Sequence, residues 1–433
     1  MIWKLAAGFV LAAGILAPPL NAQESDVIEL EDSANQELRE RAGQVVGLIN
    51  GTIPPDVVFS ESFLAAIPPE QFEAVGQQLT SQFGQALRVE RLEPVSATRA
   101  GLTIRMERAL GRGGFAISAD APYKITELLL QSFEPFDDSA EKIAGDIAAL
   151  PGRKAAYFGR LDGSDPLISI NRGEQLAIGS TFKLYVLAAL DRAVRDGRLR
   201  WDETVPLGRG RSFPSGIMQE WPEGAPVTLH TLATLMISIS DNTATDILID
   251  ILGREAVEQE MRRTGHSDPA RNIPFLKTRE FFVLKAGETG ERFAQADEAG
   301  RAQILAELDL EKVEEQAVVS AFNSGQPRLI DNVEWFASMS DLRSLANALA
   351  KPQDNTARGI MAVSPSLGKG WEETWDYAGY KGGSEPGVLN LTWLLRDRAG
   401  DWHLLALSWN DAQAPLENTA LELIAQRMLA LPR

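Results

Sequence analysis

The sequence predicts two folded domains: an α+β N-terminal domain, then a larger one in which an antiparallel sheet of N- and C-terminal strands packs on an all-helical region. Three observations predict this. The chain has 433 residues, more than one ordinary domain holds. Helical periodicity gives way to a run of alternating strands before residue 137, as in a small α+β unit. Beyond it, strand-like runs stand at both ends of a mostly helical stretch, so one sheet is assembled from distant pieces.

Residues 1–22 read as a cleavable signal peptide. A short positive start, "MIWK", precedes the apolar run "LAAGFVLAAGIL", and "PPLNA" then breaks the helix and ends on a small residue. Export to a periplasm or secretion is expected, with cleavage after Ala22. No later segment reads as transmembrane, so no stable membrane insertion is expected after signal removal. There is no cysteine, hence neither disulfide nor lipid attachment. The formal charge of −18 argues against a nucleic-acid partner or an anionic membrane surface.

Residues 24–137 form the expected accessory domain. "NQELRERAGQVVGLIN" and "PPEQFEAVGQQLTSQFG" read as amphipathic helices. "ALRVERLEPV", "RAGLTIRMERAL", "GGFAISAD" and "KITELLLQSFEP" read as strands of an antiparallel sheet. The second domain, residues 138–433, opens with "DDSAEKIAGDIAALPG" and the strands "KAAYFGRLD" and "PLISINRG". A helical middle follows, in which residues 285–315 read as a charged, solvated insertion. "YAGYKGG", "GVLNLTWLLRD" and "DWHLLALSWND" return as strands, and "PLENTALELIAQRMLAL" closes as a helix.

The chemistry is carried by "LAIGSTFKLYVLAAL", residues 176–190. Ser180 and Lys183 form S-x-x-K, a pattern that recurs at Ser139/Lys142 and Ser366/Lys369. Only Ser180 opens an apolar helix, which places its N–H among the unpaired donors of a helix start. Lys183 is the one charge between Glu174 and Asp191. A lysine usually snorkels. This one is surrounded by Phe182, Leu184, Tyr185, Val186 and Leu187, and burial would lower its pKa toward that of a general base. Two further pieces are individually plain: "SDN" at Ser240–Asn242 suits a helix N-cap, and "YKGGSEPG" suits a turn.

Together the three pieces resemble the S-x-x-K, S-D-N and K-[ST]-G set of class A β-lactamases and penicillin-binding proteins, over residues 138–433. The resemblance implies that Ser180 attacks a carbonyl and Lys183 takes its proton. It implies that Ser240 relays a proton to the leaving group, while Asn242, Lys381 and Ser384 bind substrate. The backbone N–H groups of Ser180 and Ser384 would form the oxyanion hole. No cofactor and no metal are implied; the histidines (His230, His266, His403) are scattered. The partner is a small molecule, a β-lactam or related amide or ester. The N-terminal pattern resembles the cone-shaped fold of the nuclear-transport-factor and ketosteroid-isomerase group. That combination, with "KGGSEPG", is similar to a subgroup containing LpqF-type lipoproteins and the β-lactamase-like protein of clavulanic-acid gene clusters.

The chain departs from the family pattern twice. Gly382 replaces the Ser or Thr of K-[ST]-G, leaving Ser384 as a partial substitute. The acidic loop, with Glu and Asn four residues apart, is missing: Glu280 is a candidate deacylation base, but Leu284 stands where Asn would. Acylation with slow release of β-lactams is therefore expected. Two other functions fit the motifs, a D,D-peptidase and a non-catalytic receptor for β-lactams or peptidoglycan fragments. The oligomeric state is not encoded in these patterns.

Overall fold

The computed structural model describes residues 32–432, apart from 137, 311–317, 319–321, 323–324, 352–353 and 368–370. The expected signal segment and Lys369 lie outside the described residues. The chain divides into two compact units. One runs from Ala140 to Leu421; the other ends at Ser139 and takes back the chain from Glu422 onward.

The N-terminal unit is α+β. Helix α1 (Asp32–Ile49) presents Leu38, Ala42, Val45 and Ile49 at three- and four-residue spacing, and all are buried. Two short helices, α2 (Pro55–Val58) and α3 (Glu61–Ala66), follow, started by Pro55 and by the Ser60 cap. Helix α4 (Pro69–Phe83) completes the layer. The strands β1 (Ala86–Pro94), β2 (Arg99–Met106), β3 (Ala109–Ile117) and β4 (Ile125–Pro135) form an antiparallel meander in chain order. Phe59 stacks on Phe63 and Phe83 on Phe133 within one core, which Leu423 of the C-terminal helix (Asn418–Leu429) also joins.

The second unit begins with α5 (Ala140–Ala149), β5 (Arg153–Arg160), β6 (Ile168–Ile170) and β7 (Leu176–Ala177). Helix α6 (Lys183–Arg195) is its buried axis: every residue from Thr181 to Asp191 is buried. Strands β8 (Thr204–Pro206) and β9 (Pro226–Thr228) pair, and α7 (Leu229–Ser238), α8 (Asn242–Leu252), α9 (Arg254–Arg263) and α10 (Thr278–Ala286) make the helical layer. Two more helices, α11 (Thr289–Gln295) and α12 (Glu298–Glu307), lead to β10 (Phe336–Ala337), which pairs with β7. The C-terminal strands are β11 (Trp375–Glu385), β12 (Val388–Asp397) and β13 (Trp402–Asn410). The sheet order is β11-β12-β13-β5-β6, so strands from both ends of the unit meet between β13 and β5. β12 is buried on both faces from Val388 to Leu395, as a central covered strand must be.

The solvated insertion expected at 285–315 is helical and mostly open to solvent in its described part, and is corrected at three side chains. Lys285 is 1 % exposed and closes α10, while Phe293 and Ile304 pack into the core. Carboxylates around Lys285 explain its burial, as shown below. No helix among the described residues is long and apolar enough to cross a membrane.

Candidate active site

Ser180 lies on a 3₁₀ turn, Gly179–Phe182, and α6 starts at Lys183 itself. The expected α-helical start is thus one tighter turn. Residues three apart eclipse in a 3₁₀ helix, so Ser180 and Lys183 lie on one side of the turn. The turn sits against β11 through two glycines. Gly179 has φ +48, and a Cβ on Gly383 would fall 2.2 Å from Ile178 O and 2.4 Å from Ser180 N. Only glycine allows that backbone approach. Thr181 Oγ1 donates to Asn390 Oδ1 of β12 at 2.7 Å, fixing the turn from beneath.

Lys183 is fully buried, and its Nζ bonds the S-D-N segment: Ser240 O at 2.6 Å, Ser240 Oγ at 3.1 Å and Asn242 Oδ1 at 2.7 Å. Burial, reinforced by Lys381, holds its pKa well below that of an ordinary lysine. A neutral amine has two hydrogens and one lone pair. The two carbonyl oxygens can only accept, so the lone pair is left for a hydroxyl, and Ser240 Oγ is in reach. Ser180 Oγ makes no side-chain hydrogen bond among the described residues and faces a pocket.

The S-D-N segment is both cap and site. Asp241 caps α8, accepting from Ala244 N at 2.8 Å, and its other oxygen holds Ile217 N and Met218 N at 2.7 and 2.9 Å. Ser240 adopts φ +59, a conformation that costs a non-glycine residue about 1–3 kcal/mol. Asn242 Nδ2 donates to Phe213 O at 3.0 Å, which orients its carbonyl toward Lys183.

Lys381 is 3 % exposed, and its Nζ donates to Gly382 O. Burial lowers its pKa to about 7. The site of the absent hydroxyl at Gly382 is covered by Tyr380: a Cβ there would lie 2.2 Å from the Tyr380 hydroxyl. Ser384 lines the pocket beside Ser180, Ser215 and Asn242. The opposite wall is aromatic, with Phe182, Phe281, Phe282, Phe322 and Trp335. Phe182 stacks on Trp335 with centroids 3.8 Å apart, and Phe281 on Trp335 at 4.7 Å.

The structure does not bring Glu280 to the pocket lining. Its carboxylate pairs with Arg254 at 2.8 and 3.1 Å and accepts from Lys277 N at 2.8 Å, capping α10. Removing one partner of such a pair leaves a charge without compensation. Glu280→Ala is expected to lower stability by about 3 kcal/mol, seen in a denaturant melt, while the acylation rate at saturating probe stays within about threefold.

A sequence model of the β-lactamase enzyme family matches residues 138–324. The match runs from the start of the second unit through its helical layer and stops before β10. Among solved structures, a β-lactamase from Sphaerobacter thermophilus DSM 20745 is 20% identical, with TM-score 0.48, covering 67% of this chain and 94% of its own. PBP-A is 19% identical, with TM-score 0.48 and the same coverages. A β-lactamase from Chitinophaga pinensis DSM 2588 is 16% identical, with TM-score 0.45, covering 67% of this chain and 97% of its own. No curated protein matches the chain.

Several pocket residues of the second unit were not singled out by the sequence. Ser215 donates to Ser240 O at 2.7 Å, and Thr278 is held by Asp246 at 2.6 and 2.8 Å. Glu334 and Glu385 also line the pocket. Glu385 had a signal, as a carboxylate inside "KGGSEPG"; Glu334 had none, because only the fold brings it there.

Proposed function

We propose that the chain is an exported serine hydrolase that is acylated at Ser180 and acts on a β-lactam or a related amide or ester. The observation that carries this reading is Lys183: a fully buried amine of lowered pKa, three residues from a pocket-facing serine and bonded to Ser240 and Asn242. Lys183, neutral, accepts the Ser180 proton, directly or through water. Ser180 Oγ bonds the carbonyl carbon, and the N–H groups of Ser180 and Ser384 receive the developing oxyanion. Ser240 passes the proton to the leaving group, and Asn242 and Lys381 hold the substrate.

The aromatic wall favours an acyl group with an apolar body. With no hydroxyl at Gly382, the grip on a β-lactam carboxylate is weakened, which favours neutral esters. The N-terminal unit, with its helices on a four-stranded meander, is assigned a binding or gating role in a cone-like fold. Export predicts a mature periplasmic chain starting near Gln23. The test is intact-mass analysis after incubation with panels of β-lactams and p-nitrophenyl esters. A single acyl adduct from at least one panel is expected; no adduct and no hydrolysis from either would favour the receptor function.

A further inference from the structure

The pocket holds a second titratable cluster that this mechanism does not use. Lys285, at the end of α10, is 1 % exposed. Its Nζ donates to Glu385 Oε1 and stands 3.5 Å from Glu334 Oε1. Both glutamates line the Ser180 pocket. Glu334 is 3 % exposed; its Oε2 accepts from Trp335 N at 2.9 Å, and its Oε1 is buried without a hydrogen bond.

The placement follows from the strands. Residues of one strand alternate between faces, so Lys381, Gly383 and Glu385 share a face of β11. Gly383 meets the backbone of Ser180 on that face, which turns Glu385 toward the serine turn. Glu334 precedes Trp335, the ring stacked on Phe182 two residues after Ser180. Both glutamates thus reach the pocket that Ser180 lines from elements other than α8, which carries Asn242.

Two buried carboxyl groups share a single ammonium, so full ionisation would leave a net buried charge. Burial and the neighbouring Glu334 push the Glu385 carboxyl well above the usual carboxylate range, against the pull of Lys285. A proton taken up by the pair would leave one carboxylate opposite one ammonium, with no net buried charge.

Resting on acylation at Ser180, we propose that the Glu334–Glu385 pair, clamped by Lys285, is the proton acceptor that activates water to release the acyl group. The water O–H bond breaks and its proton goes to the carboxylate, while the water oxygen bonds the acyl carbon. The tetrahedral intermediate then collapses. The bond from carbon to Ser180 Oγ breaks, the proton returns from the carboxyl pair to Oγ, and a free carboxylic acid leaves. Water is the sole co-reactant. This replaces the role assigned in the sequence to Glu280 and revises the expectation of slow release.

The test uses p-nitrophenyl hexanoate with the full mature chain, reading the nitrophenolate burst for acylation and intact mass for the acyl-enzyme. Glu334→Gln, Glu385→Gln and the double variant should keep the burst rate within about threefold. The acyl-enzyme should accumulate, with release slowed about 100-fold or more. Hydroxylamine attacks without needing a base and should discharge variants and wild type at equal rates. Release within threefold of wild type in the double variant overturns the proposal. So does a variant in which hydroxylamine discharge slows as much as hydrolysis, since that marks a merely structural role. If a Gln variant loses its burst, Glu385→Asp, which keeps the charge, must restore both steps. Absence of any Ser180 adduct in both the wild type and the Gln variants overturns acylation itself, a separate result.

Discussion

Lys183→Arg is expected to lower the rate of the proposed Ser180 acylation by about a thousandfold while the chain stays folded. The magnitude is that of losing a positioned general base. A guanidinium stays protonated at any working pH, so the substitution keeps the charge and removes the lone pair. Nothing else in the pocket replaces it on the Ser240 side, where Nζ lies 3.1 Å from Oγ. The pH profile carries the same signature. In the wild type, acylation rises as pH increases through the lowered Lys183 pKa, because only the neutral amine accepts a proton. In the arginine variant that acid limb disappears. Stopped-flow measurement of the nitrophenolate burst between pH 5 and 9 checks both, with circular dichroism confirming the fold. An unchanged burst with an unchanged acid limb would transfer the base role elsewhere.

Lys381→Met is expected to stabilise the protein and to disable it. The native Lys381 has a pKa of about 7, while the unfolded chain holds its proton up to about pH 10.4. Between these values the unfolded state binds a proton that the native state lacks, so stability rises with pH across that window. Below pH 7 the penalty is complete, on the order of 5 kcal/mol, at about 1.4 kcal/mol per unit. Methionine fills the same channel without a charge. The variant should therefore melt at higher temperature than wild type at pH 6, and the gain should shrink toward zero near pH 10. The same change removes a cation that lowers the Lys183 pKa. The acid limb of acylation should shift to higher pH, with a lower rate at neutral pH. Equal melting gains at pH 6 and pH 10 would show that the lysine is not deprotonated by folding. Stability given up for function is common at such sites.

Much of this was legible because each motif stood in a distinctive local context. Lys183 was readable as buried because the ten residues from Thr181 to Leu190 leave no polar face for it to escape along. The S-D-N segment was readable as a helix cap, and Asp241 is that N-cap; its neighbours meet Lys183. The strand runs were readable from alternation, and the paired ends of the sheet from their distance in sequence. Short helices such as Pro55–Val58 were not, since four residues carry no period. Lys285 and Glu334 were missed for a related reason. Lys285 sits in a charged stretch that reads as solvated, Glu334 belongs to no motif, and only the fold brings them to β11, where their charges offset one another. Glu280 attracted attention by resemblance to an acidic loop, yet its carboxylate serves Arg254 and a helix cap.

The central claim is that Ser180 carries the acyl group, and peptide mapping of the adduct tests it most directly. Wild type and Ser180→Ala are incubated with the same fluorophosphonate serine probe and p-nitrophenyl ester, digested, and sequenced by mass spectrometry. One modified peptide is expected, labelled at Ser180 in the wild type and unlabelled in the variant. Labelling of Ser180→Ala at the wild-type rate, or a wild-type adduct on any other residue, would contradict it.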